Sequence, residues 1–100
     1  MPETRVAGTP MSLPSQTPMT ILVVDDQSAS RVAIAAALDA MGHRVIEADG
    51  GEWALSLFQR HAPDLVLLDV EMPGHDGYWV ARQLRALESG GWTPIVFLSS

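Results

Sequence analysis

Four short apolar runs punctuate the chain, and three stretches between them repeat their apolar residues every three or four positions. The first run, Ile21-Leu22-Val23-Val24, is continuous and rich in β-branched residues, the pattern of a strand covered on both faces. Asp25-Asp26-Gln27-Ser28 breaks it, and Ser28 is placed to cap a helix reaching Met41. The spacing predicts Ala33, Ile34, Ala37, Leu38 and Met41 as that helix's buried stripe, with Gly42 as its C′ residue. Residues 43–48 form the second strand, followed by the turn Asp49-Gly50-Gly51. A second helix is expected over 52–61, burying Trp53, Ala54, Leu57 and Phe58, and Pro63 blocks its continuation.

Residues 64–68 form the third strand, ending on Asp69. The loop Glu71-Met72-Pro73-Gly74-His75-Asp76-Gly77 follows, with Asp76 placed to cap a third helix over 77–89. That helix turns Val80, Ala81, Leu84 and Leu87 inward, and Gly90-Gly91 closes it. Trp79 falls on its other side, where local packing and a partner contact fit equally well. Residues 93–98 form the fourth strand, ending at Ser99. Strands alternating with helices make βαβ units, hence an α/β fold with a doubly wound parallel sheet. Such sheets bind ligands beyond the carboxyl ends of their strands.

Composition changes this picture little. Residues 1–18, with Pro2, Pro10, Pro14 and Pro18 among Thr, Ser and Gly, read as a disordered leader before a folded domain at 19–100. Hydrophobic residues make up 47% of the chain and charged residues 18%, which suits one small packed core. The net charge of −6, with arginines but no lysine, argues against nucleic-acid binding. Absence of cysteine excludes disulfides, zinc–thiolate sites and thiol nucleophiles. No apolar run approaches the roughly 18 residues of a membrane span. No apolar segment follows Arg5 as in a secretory signal, so a soluble cytoplasmic protein is expected.

The candidate chemistry lies at the strand ends. Asp25 and Asp26 follow the first strand and Asp69 the third. If those strands are neighbours, as in the common order 2-1-3-4, the carboxylates converge and repel one another unless a cation neutralises them. Oxygen ligands of this hardness select Mg²⁺, with Mn²⁺ as the alternative. One carboxylate can then act as a nucleophile toward phosphorus.

Three segments carry a resemblance: Ile21-Leu22-Val23-Val24-Asp25-Asp26, Pro63-Asp64-Leu65-Val66-Leu67-Leu68-Asp69 and Met72-Pro73-Gly74-His75-Asp76-Gly77. In order and spacing they resemble the receiver domain of bacterial two-component response regulators, over essentially everything from Met19 onward. The resemblance implies a flavodoxin-like sheet. It also implies that Asp69 is the phosphoacceptor, taking its phosphoryl group from a partner histidine kinase or phosphotransfer protein. Asp26 matches the direct Mg²⁺ ligand, Asp25 the ligand acting through a metal-bound water, and Glu71 the residue whose backbone carbonyl completes the set. Ser99 matches the hydroxyl that senses the phosphoryl group. The kinase is expected to dock on the outward side of the first helix, at Arg31, Ala35 and Asp39.

The chain departs from that family in lacking a fifth strand, its terminal lysine, the aromatic switch residue and the last two helices. A fragment of a longer regulator or a truncated receiver is therefore expected, one that phosphorylates poorly and whose fourth strand is an open apolar edge for aggregation or for pairing with another chain; a dimer is a possible state. The alternative function is a degenerate receiver serving only protein contacts. A flavin carrier is disfavoured because Asp-Asp-Gln after the first strand repels phosphate. An aspartyl phosphatase is disfavoured because Met-Pro-Gly follows Glu71 and no lysine exists to stabilise an intermediate. His43, His61 and His75 are scattered singly, and no metal or catalytic role is expected of them.

Overall fold

The computed structural model describes residues 17–88 and 90–99, so most of the expected leader lies outside the described residues. Seven elements alternate: β1 (Thr20–Val24), α1 (Ser28–Ala40), β2 (Arg44–Ala48), α2 (Gly51–His61), β3 (Leu65–Asp69), α3 (Gly77–Leu87) and β4 (Ile95–Leu98). All strand pairs are parallel and their order is β2-β1-β3-β4. The doubly wound expectation therefore holds for the described residues. β1 runs through the middle with Ile21, Leu22, Val23 and Val24 all essentially inaccessible, which is why its sequence shows no polar alternation.

α2 and α3 cover one face of the sheet, packing Ala54, Leu57, Phe58, Val80 and Leu84 on Leu22, Val24, Val66 and Leu68. α1 packs on β1 and β2 and covers Ile21 and Val23 on the other face. The α1 stripe differs from the expected one. Ala35 is buried, Arg31, Ile34 and Leu38 are half-buried, while Ala33, Ala37 and Met41 face solvent. Alanine occupies so many positions of α1 that hydrophobicity alone leaves its rotation undetermined, and the bulk of Ile34 and Leu38 decides it. Trp53 is likewise not core: it is 48% exposed, with the Arg60 guanidinium 5.9 Å from its ring centre.

Several ends have identifiable causes. Gln27, rather than Ser28, occupies the N-cap position of α1, without a side-chain cap bond. Gly42 follows the helix with φ 93°, as a left-handed C′ residue should. The Asp76 carboxylate accepts a hydrogen bond from the Trp79 amide at 2.9 Å, the expected cap of α3. That helix stops at Leu87 rather than 89 because Glu88 turns back. Its Oε1 accepts from Arg85 at 2.6 Å and from the Thr93 amide at 2.9 Å, and Arg85 also donates to the Thr93 carbonyl. This clasp leads the chain into β4, an outer strand of the described sheet on which Val96 and Phe97 are exposed.

Two backbone positions are conformationally demanding. Ala62 ends α2 at φ 45°, in the left-handed region that a Cβ disfavours, immediately before Pro63. Gly77 opens α3 so close to β3 that a Cβ would overlap the Asp69 carbonyl oxygen and stand 2.9 Å from the Val70 Cα. Ala62→Gly is expected to stabilise the protein by about 1 kcal/mol in urea denaturation. Gly77→Ala is expected to destabilise it by about 2 kcal/mol, because backbone atoms of the Asp69 segment must move.

Candidate phosphoacceptor site

In-register parallel pairing sets Val24 beside Leu68, so the residues that follow, Asp25 and Asp69, leave the sheet side by side. Asp26 comes with them. One carboxylate oxygen from each of the three lies within 4.8 Å of the others. The structure thus brings together the three acids singled out in the sequence.

Each acid is held differently. The Asp25 amide donates to the Ala48 carbonyl at 3.1 Å, extending the β1–β2 ladder by one bond. Its Oδ1 accepts from the Gln27 amide at 2.9 Å, and the residue is only 5% exposed. Asp69 repeats that local turn, with Oδ1 accepting from the Glu71 amide at 3.2 Å. Both are Asx turns, in which a carboxylate bonds the backbone two residues on. Asp26 differs: its Oδ1 is buried and has no hydrogen-bond partner among the described residues. A buried, unpaired carboxylate oxygen costs free energy unless a cation or proton meets it.

The Asp69 carboxyl is held above the ordinary carboxylate value of 3.8, chiefly by burial and further by the charges of Asp25 and Asp26 and a shared contact with Asp25, against the lowering effect of the Glu71 amide. An acidic cluster of this kind fits a hard divalent cation, which would relieve the repulsion and take up the orphaned oxygen. Beside the acids opens a pocket of about 280 Å³, lined by Asp25, Gln27, Ser30, Ile34, Asp69, Glu71, Leu98 and Ser99. Ser99 and Glu71 therefore stand at its rim, as their sequence positions suggested, while Ser30 and Ile34 were not anticipated. Their i, i+4 spacing on α1, one turn beyond the Asp-Asp pair, is the signal that would have found them.

The remaining candidates lie elsewhere. His43, 8% exposed, accepts from the Met19 amide at 3.2 Å at the opposite end of β1. His75 stacks on Trp79 with ring centres 3.7 Å apart and stands 3.4 Å from Glu52. Trp79 is thereby packed locally, which resolves its two readings. The docking face expected at Arg31, Ala35 and Asp39 is not continuous: Ala35 is buried, and Arg31 bonds the Asp25 carbonyl and Glu47. The solvent side of α1 is formed instead by Val32, Ala33, Ala36, Ala37 and Met41.

The response regulator receiver domain family matches residues 21–100. The chain is 46% identical over 88 of its residues to the virulence sensor protein BvgS of Bordetella pertussis, spanning 88% of this chain but 7% of that protein. Among solved structures, the chemotaxis protein CheY4 of Vibrio cholerae superposes with a TM-score of 0.77 at 28% identity, over 81% of this chain and 68% of that one. The receiver domain of the histidine kinase CKI1 from Arabidopsis thaliana, complexed with Mg²⁺ and BeF3⁻, gives 0.76 at 32% identity over 81% and 65%. Fold, acid triad and sequence agree, and the chain belongs to the receiver domain family of two-component response regulators.

Proposed function

We propose that this receiver domain accepts a phosphoryl group on Asp69, with a divalent cation held by Asp25, Asp26, Asp69 and the backbone carbonyl of Glu71. The observation carrying this reading is the convergence of three carboxylates, one of them with a buried oxygen unpartnered among the described residues, at the mouth of an open pocket. The Arabidopsis neighbour solved with Mg²⁺ and BeF3⁻ supports it. A pocket so acidic, in a chain of net charge −6, repels any phosphate donor. Mg²⁺ when bound supplies the opposing charge for the carboxylates and the phosphoryl oxygens, and Mn²⁺ suits the same donors.

The donor is a phosphohistidine of a sensor histidine kinase or of a phosphotransfer protein. The Glu71 amide fixes Oδ1 of Asp69, which leaves Oδ2 as the attacking oxygen. As the O–P bond forms, the P–N bond breaks. The electron pair returns to the imidazole, which takes up a proton, and Asp69 becomes an acyl phosphate. Asp25 is kept in place by Gln27 and Ala48, and the Ser99 hydroxyl reaches the new phosphoryl oxygens across the pocket. Positioning and electrostatics suffice for such a transfer, in which no general base is needed. The kinase docks on the exposed small-residue side of α1, next to the pocket, where Ala33, Ala36 and Ala37 allow close helix packing. No helix among the described residues is long and apolar enough to cross a membrane.

Prolonged incubation with acetyl phosphate and Mg²⁺ is expected to add one phosphoryl group slowly, in keeping with the lack of lysine, read by intact mass. Asp69→Asn and chelation by EDTA are each expected to abolish it, and Asp26→Asn to lower it at least tenfold. Modification that persists in Asp69→Asn or without divalent cation would exclude the reading and leave a module for protein contacts.

A pH dependence follows from Asp69. Its folded value lies above the ordinary 3.8, so between the two the folded state holds a proton that the unfolded chain has released. Stability of the metal-free protein then falls as pH rises through that interval and stays lower above it. Asp69→Asn should melt higher than the parent at pH 7 in EDTA, with the difference vanishing below pH 3.8. Saturating Mg²⁺ should raise the parent's melting temperature and leave Asp69→Asn little changed.

A further inference from the structure

Among the described residues, Arg31 is the cationic side chain that contacts the acid triad. Arg31, on the first turns of α1, donates from Nη1 to the backbone carbonyl of Asp25 at 2.9 Å and from Nε to the Glu47 carboxylate at 3.1 Å. Its side chain is 17% exposed, against 40% for Glu47. The guanidinium therefore spans from the end of β1 to β2, using two faces of its planar fork at once.

Asp25 is otherwise fixed by its own amide on Ala48 and by the Asx turn to Gln27. Those two contacts constrain the start of the residue and its carboxylate. The Asx ring passes through the peptide between Asp25 and Asp26, whose orientation sets where the Asp26 carboxylate points, but it does not bond the carbonyl of that peptide. The carbonyl of that peptide is the atom Arg31 holds. Mutual repulsion pushes the three acids apart, and the peptide unit between two of them is held against it by the Asx turn on one side and by Arg31 on the other.

We propose that Arg31 is a positioning residue for the divalent cation: by holding the Asp25 carbonyl it aims Asp26 at Asp69, and Glu47 holds Arg31 in place. This rests on the cation site proposed above. Geometry and charge act in opposite directions here. Through charge alone, a guanidinium near a cation site weakens cation binding, and its removal would tighten the site. Through geometry, its removal loosens the site.

The test is calorimetric titration of the purified protein with Mg²⁺, beside thermal melting. The parent is measured first, and Arg82→Gln, which removes an exposed guanidinium on α3, controls for net charge. Arg31→Gln is expected to weaken Mg²⁺ binding about tenfold, the lower end of what partners of metal ligands contribute. Arg82→Gln is expected to leave it unchanged or slightly tighter. Unchanged or tighter binding by folded Arg31→Gln overturns the role of Arg31 while the cation site stands. A parent that does not bind Mg²⁺ overturns the site and this role with it. Should Arg31→Gln fail to fold, the charge-matched Arg31→Lys decides: binding weaker than the parent's supports the proposal, and equal binding overturns it.

Discussion

Parallel pairing of β1 with β3, in the register that sets Val24 beside Leu68, is the constraint on which the site depends. Side chains alternate along a strand, so a slip of one residue would send Asp25 and Asp69 to opposite faces and separate them by the thickness of the sheet. The apolar run of β1 prevents that slip. Leu22 and Val24 belong to the core under α2 and α3, Ile21 and Val23 to the opposite face, and neither pair can move without leaving its layer. Hydrophobic burial of four residues thereby holds like charges together at the end of the strand.

The surroundings keep the strand ends in place at short range. Gly77 lets α3 begin against the Asp69 carbonyl, and its amide bonds the Val70 carbonyl at 2.9 Å. Val70 in turn donates to Leu98 at 3.0 Å, which ties the acid loop to the end of β4 and so to Ser99. The Arg85–Glu88–Thr93 clasp sets the entry to that strand. The result is a pocket lined by the ends of β1, β3 and β4 and by the first turns of α1.

Much of this was legible in the residues. Continuous apolar runs marked the strands, Asp-Asp and the lone Asp69 marked their ends, and Asp76 marked the start of α3. The rotation of α1 was not legible, because a helix rich in alanine offers too little contrast in size or polarity to show which side faces the sheet. Trp53 misled for a related reason: an indole is apolar enough to suggest core, yet at the edge of a stripe it stays exposed beside Arg60 instead. Arg31 was placed on the docking side of α1 and not beside the acids, because its partner there is a backbone carbonyl, which every residue carries and no sequence pattern distinguishes. The family itself was legible from three short segments, since their spacing reflects the strand order that makes them neighbours.

The stack of His75 on Trp79 has an optical consequence. Trp53 and Trp92 are 48% and 71% exposed, whereas Trp79 is half-buried with an imidazole 3.7 Å away across its ring face. Its emission should lie to the blue of the other two indoles and be dimmed by the imidazole. His75 belongs to the loop that starts at Asp69, so a shift of that loop by a fraction of an ångström would alter the overlap of the two rings. The molecule thus carries its own fluorophore beside the loop that leads from its acidic pocket, set apart by colour from the more exposed indoles.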